Sequence, residues 1–257
     1  MKRFLVLFGL LSFSACTNSE EITYNTLTVQ AFLYPDAPAE IQLSLLNESD
    51  SLPQYADDFH PLLVVGEEEF ALEPMGEGKF RSYEVLPTTV GESYHFSLPV
   101  WGVSAKSSMP EPLGDWEIPA EDLQKSTITT VSNARAYQRS IEATVYFENP
   151  EGLPFFYWLE GPESEQYVFS DLSWVNAESM EGVLTYADSL NIEGRYLEAI
   201  GEYQLIMMAC NDEFARFYEG GMSQGQLDPN YSNITGGLGV FTAIYPDTVR
   251  FSLTLKE

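Results

Sequence analysis

The chain has 257 residues, of which 39 are acidic, 12 are basic and two are cysteines, for a formal charge of −27 at pH 7. A balance this negative argues against nucleic-acid binding, which rests on Lys and Arg neutralising phosphates, and against lying on anionic lipid through a basic face. The length suits two modest domains or one large β domain.

The chain opens with "RFLVLFGLLSFSACTNSEE". Its apolar run, Phe4 to Phe13, reaches about 15 Å as a helix, half of a hydrocarbon core of roughly 30 Å. Lys2 and Arg3, a short apolar stretch and small residues before a cut describe a secretory signal peptide. Ser14 and Ala15 followed by Cys16 resemble the lipobox of bacterial lipoproteins, although Phe13 stands where that motif usually carries an aliphatic residue. The resemblance implies a signal over residues 1–15, cleavage between Ala15 and Cys16, and acylation of Cys16. A single acyl chain anchors marginally, whereas two or three hold firmly, at about 0.8 kcal/mol per buried methylene. Residues 16–25 then form a lipidated tether. Its "TNSEE" resembles the export tag of Bacteroidota surface lipoproteins, which implies the outer membrane with the body facing outward. Loss of Lys2 and Arg3 with the signal takes the formal charge from −27 to −29. With Cys16 acylated, Cys210 has no partner for an internal disulfide; in "YQLIMMAC" it reads as a buried, unreactive thiol.

From residue 26 the pattern has period two. Leu27, Val29, Ala31 and Leu33 share one face, as do Ile41, Leu43 and Leu45, with the turn-rich "YPDAPA" between them. The pair reads as neighbouring antiparallel strands. "EEEFALEPMGEGKFRSY" predicts two short strands about Met75-Gly76-Glu77-Gly78, and "SYHFSLPV" aligns Tyr94, Phe96, Leu98 and Val100. Aromatic and β-branched residues at this spacing suit a half-buried pleated surface. Residues 26–110 therefore predict a first β-sandwich module, similar to small transthyretin-like or immunoglobulin-like sandwiches. Three prolines between Met109 and Pro119 break the alternation, because proline removes a backbone donor. Residues 111–123 predict a Pro-rich linker.

The alternation resumes in a larger C-terminal β domain, residues 124–257. "SIEATVYF" aligns Ile141, Ala143, Val145 and Phe147; "FFYWLEG" and "YQLIMMAC" are further strands; and the closing "TVRFSLTLK" aligns Val249, Phe251, Leu253 and Leu255. One short helix is predicted near 212–220 in "NDEFARFYEGG", with Asn211 or Asp212 as N-cap and Gly220 as stop. Phe214, Phe217 and Tyr218 form a stripe at i, i+3 and i+4, expected to plug an open end or face of the second sandwich. With so few helices the chain reads as mostly β.

The stretch "CNDEFARFYEGG…DPNYSNITGGLGVFTAIYPDTVRFSL" resembles the Bacteroidota cell-envelope lipoproteins labelled domain of unknown function 4249. The resemblance runs over almost the whole mature chain, through the early β module and "VYFENPEGLPFFYWL". Its specific part is the ending, Asn233-Ile234, Gly236-Gly237 and Gly239-Val240-Phe241. The chain departs at Glu148-Asn149, where the family more often has an Asp-Pro type turn. The resemblance implies an envelope lipoprotein of a kind often encoded beside a TonB-dependent outer-membrane receptor, its suspected partner, and it supplies no catalytic residue.

The remaining motifs read as structure. The glycines of "NITGGLGVF" lead into a strand and no lysine follows, so a tight turn or bulge with close backbone approach is expected rather than a phosphate loop. Asp57-Asp58 and Glu67-Glu68-Glu69 lack an Asp-x-Asp-x-Asp-Gly calcium loop and read as a solvated edge. His60 and His95 have no Cys or His partner at ligand spacing, so no metal is expected. The aromatics of "PFFYWLEG" and "YVFSDLSW" are taken to fill two sandwich layers. The reading is a membrane-tethered, non-catalytic accessory or binding subunit with no cofactor. The alternatives are an envelope hydrolase acting through paired carboxylates and a structural or adhesive surface protein.

Overall fold

The computed structural model describes residues 26–46, 59–87, 89–127, 133, 135–136, 141–149, 151–162, 168, 180–222 and 228–256. The signal segment, Ala15, Cys16, the tether, Asp57-Asp58 and all but Val168 of "YVFSDLSW" lie outside the described residues. The fold is mostly β. Alternating apolar residues produce β1 (Leu27–Leu33) and β2 (Pro38–Leu45), which pair antiparallel with Val29 opposite Leu43. Then follow β3 (Leu62–Val65), β4 (Glu68–Gly76), β5 (Lys79–Val85), β6 (Ser93–Leu98) and β7 (Val103–Ser108). Leu27, Val29, Ala31, Leu33, Ile41, Leu43, Tyr94, Phe96 and Leu98 all point into one core. Val100 does not continue its row: the chain turns at Pro99–Trp101 into a 3₁₀ turn, which leaves Val100 78% exposed.

The predicted linker is largely structured. Gly114–Glu117 forms β8, which pairs with β10 (Ile141–Glu148). Leu113 is buried in the second core, and the Trp116 indole donates to Asp247 Oδ2 at 2.9 Å. The prolines fall on either side of this short strand, so its ladder survives. Beyond β9 (Gln124–Lys125) and β10 come β11 (Phe155–Glu160), β12 (Met180–Thr185), β13 (Ser189–Glu193) and β14 (Gly201–Ala209). Helix α1 (Asp212–Phe217) continues into a π-helical turn over Tyr218–Met222. The chain closes with β15 (Leu238–Ala243) and β16 (Tyr245–Leu255).

The sheets divide the chain differently from its sequence order. The eight-stranded sheet runs β15-β1-β2-β5-β4-β3-β6-β7; a five-stranded sheet, β12-β11-β14-β16-β9, and a three-stranded one, β13-β10-β8, enclose a second core. A simple division at 110–124 therefore misplaces β15. It leaves the second unit and adds itself in parallel to β1, with Val29 opposite Gly239 and Ala31 opposite Phe241. Only Ile244 separates β15 from β16, so one extended segment passes from the first sheet into the second. The Ile244 amide stays bonded to the Leu33 carbonyl at 2.8 Å. Because each strand of this segment is hydrogen-bonded in a different sheet, the two units are spliced rather than strung together.

Helix α1 lies at that splice. Phe214 packs edge-on against Phe32 of β1, with centroids 6.0 Å apart, and against Phe156 of β11 at 5.9 Å. The aromatic stripe thus bridges both sheets instead of plugging the second alone. Cys210 and Ile244 complete the buried cluster, with Tyr34, Leu184, Met208 and Tyr218 packed around it.

Candidate functional site

The family-like ending builds the seam of the first sheet. Asn233 clips its own chain into position: its Nδ2 donates to the Phe241 carbonyl at 2.7 Å, and its Oδ1 accepts from the Phe241 amide at 3.0 Å. The same amide group reaches the Lys106 carbonyl of β7 at 3.3 Å. Thr235 and Ser104 exchange two backbone hydrogen bonds, and the Ala243 amide donates to Ser107 Oγ at 3.0 Å. These bonds join the two ends of the sheet, β15 and β7, around the core. Side chains make much of this closure, so the edge groups find partners without a full ladder.

The glycines stand where backbone meets backbone. Gly239 has φ +115, and a Cβ there would fall well inside 3.0 Å of the Val29 carbonyl oxygen. Gly236, at φ +76, is pressed in the same way against the Gly102 carbonyl. Gly237 lies against the Leu27 carbonyl, Ile234 and Phe241 are buried in the first core, and Val240 is buried in β15. The seven residues of the motif therefore come together to dock a strand and present no polar cleft.

The helix start is tied to the same seam. Asn211 Nδ2 donates to the Ser108 carbonyl at 2.6 Å and to Ser107 Oγ at 3.1 Å. The preceding Cys210 is fully buried and donates from Sγ to the Met208 carbonyl at 3.1 Å. Burial pushes its thiol up to about 12, against a small opposing effect of a backbone hydrogen bond at Phe156. A thiol held neutral at physiological pH is a poor nucleophile.

The concave feature lies elsewhere, on the outer face of the eight-stranded sheet. A cavity of about 380 Å³ is lined by Gln30, Phe32, Tyr34, Gln42, Met75, Lys79 and others on β1, β2, β4 and β5. Register lays these side chains out in rows, with Gln30 opposite Gln42 and Gln42 opposite Lys79. In the next row Glu40 faces Arg81, whose Nε lies 3.5 Å from Glu40 Oε1. Glu73 flanks Arg81 on the other side and hydrogen-bonds the Tyr83 side chain. Tyr34 forms the end toward the helix; burial, and then the neighbouring Cys210, raise its phenol above the ordinary value. Sequence patterning could place these residues on one outward face but could not show that the face is concave. Among the described residues of the lining, Glu40 is the one carboxylate, and it is paired with a guanidinium. Such an arrangement suits holding a ligand.

No protein family matches the chain, and no curated protein does. Among solved structures, it is similar to a protein described as membrane anchored from Corynebacterium diphtheriae, at 11% identity and a TM-score of 0.24. A second is trypsin-activated alpha-2-macroglobulin from Escherichia coli, at 12% identity and a TM-score of 0.21. The matches cover 72% and 88% of this chain but only 54% and 16% of theirs. Likeness at this level carries no functional argument.

The other sequence candidates are dispersed. His60 is exposed and His95 half-buried on β6, and no cluster of three metal-ligating side chains occurs among the described residues. Glu67, Glu68 and Glu69 are all exposed at the β3–β4 turn, where Glu68 to Ala71 pair with β3 ahead of the stretch that pairs with β5. The sequence also holds a Gly-x-Ser-x-Gly spacing, Gly221-Met222-Ser223-Gln224-Gly225, at the end of α1 and its π turn. A nucleophile elbow needs a strand before the serine and a helix after it, and here a helix comes first. Residues 223–227 lie outside the described residues. No helix among the described residues is long and apolar enough to cross a membrane.

Proposed function

We propose that this chain is a lipid-anchored, non-catalytic binding subunit of the outer membrane, facing outward and working beside a TonB-dependent receptor. The anchor rests on Ala15-Cys16 behind a short apolar run, and the receptor rests on the family resemblance. The observation that carries the binding role is the open, concave outer face of the first sheet, lined by amide, cationic and aromatic side chains. Concave sites with a few convergent polar groups are the usual form of a ligand pocket. The lipid would confine the protein to two dimensions and raise its effective concentration near a membrane partner.

Two measurements test this reading. Cys16→Ala should abolish acyl labelling and release the protein from membrane fractions; a variant that stays acylated refutes the anchor. The tagged wild-type chain, captured from detergent extracts, should bring down a TonB-dependent receptor. Recovering none where known pairs survive refutes the partnership.

A further inference from the structure

We infer that the cavity on the outer face of the eight-stranded sheet binds a small organic carboxylate with an apolar body. This deepens the binding-subunit reading and rests on it. The chain carries 39 acidic and 12 basic residues, and Arg81 stands between Glu40 and Glu73, but Lys79 stands opposite Gln42 on one side and Gly76 on the other, with no acidic residue in its row. A carboxylate of charge −1 matches that single ammonium. A phosphate monoester, at about −1.5 to −2, would exceed it within a strongly negative field.

Lys79 and Arg81 are two apart on β5, so their side chains leave the same face roughly 7 Å apart. Arg81 meets Glu40 through Nε, and a guanidinium carries five N–H donors, so capacity for a second acceptor remains. Gln30 adds an amide group in the row of Lys79, whereas Gln42 spends its Nε2 on the Leu43 and Glu77 carbonyls. The rest of the lining is largely apolar: Phe32 and Tyr34 stand toward the helix, and Met75, 63% exposed on β4, stands at the opposite rim. An exposed methionine is a flexible, polarisable contact for an apolar body. The volume, about 380 Å³, falls in the range of roughly 300–1,000 Å³ that suits small molecules.

The test is titration calorimetry of the mature lipoprotein in lipid nanodiscs with three probes: 4-phenylbutyrate, 4-phenylbutan-1-ol and inorganic phosphate. Saturable binding of 4-phenylbutyrate is expected, with the alcohol and phosphate at least tenfold weaker. Arg81→Gln and Lys79→Gln, both at exposed positions, should together weaken 4-phenylbutyrate at least tenfold while leaving the circular dichroism spectrum unchanged. Met75→Ala should weaken it severalfold. Absence of saturation, equal binding of the alcohol or of phosphate, or indifference to the double substitution would overturn the inference. If the receptor still co-purifies in that case, the inference fails and the receptor partnership stands. If binding saturates as expected and no receptor is captured, the partnership fails and the site stands.

Discussion

Replacing Gly239 by alanine strikes the splice between the two units at its tightest point. The residue sits inside β15 at φ +115, and the added Cβ would collide with the Val29 carbonyl, a backbone atom that cannot swing aside. Holding a non-glycine residue in such a region costs about 1–3 kcal/mol. To relieve the contact β15 must also withdraw from β1, losing on the order of two ladder hydrogen bonds at about 0.5–1.5 kcal/mol each. The sum, about 2–6 kcal/mol, is a large share of an ordinary stability of about 5–15 kcal/mol. Urea unfolding of the mature chain, followed by far-UV circular dichroism, measures it. Gly152→Ala is the matched control: its φ is +62, yet nothing lies within 4 Å of the added methyl, so only the conformational cost of about 1–2 kcal/mol applies. If Gly239→Ala costs no more than Gly152→Ala, the parallel docking of β15 on β1 is wrong.

Asn233→Asp should destabilise by about 2–4 kcal/mol in the same assay, because a carboxylate cannot donate to the Phe241 carbonyl and leaves a buried acceptor unmet. Phe214→Ala should cost about 3–5 kcal/mol, since its ring contacts both Phe32 and Phe156; a loss below 1 kcal/mol would refute the bridging role of the helix. Cys210 and Tyr94 are raised by burial from 9.0 and 10.0 to about 12. The unfolded chain therefore loses these protons first as pH rises, and native stability should be unaffected by them below about pH 9 and fall between pH 9 and 12. Chemical denaturation across that range checks the sign, and thiol alkylation at pH 8 should be slow in the native protein and fast in urea.

Period-two alternation in 26–110 and 141–255 was enough to determine a mostly β chain, the pairing of β1 with β2, and which faces are buried. Each residue's face follows from its local parity along a strand. The close approaches at Gly236 and Gly239 were also legible, because only glycine tolerates both the torsion and the contact. Proline density misled at 111–123, since three prolines can flank a short strand without occupying its donors. Local sequence is equally silent on which sheet a strand joins. β15 is buried on both faces, all six residues, with Thr242 its one polar side chain, and such a strand fits either core by composition. Its place beside β1 is decided by long-range groups: the Asn233 clip, the Ser107 hydroxyl, and backbone packed against glycines. The cavity on the outer face has the same origin, because its lining is gathered from four strands that only sheet order places side by side. Alternation is a property of neighbours in sequence, whereas sheet order and cavity shape depend on contacts between distant residues, which only the folded chain brings together.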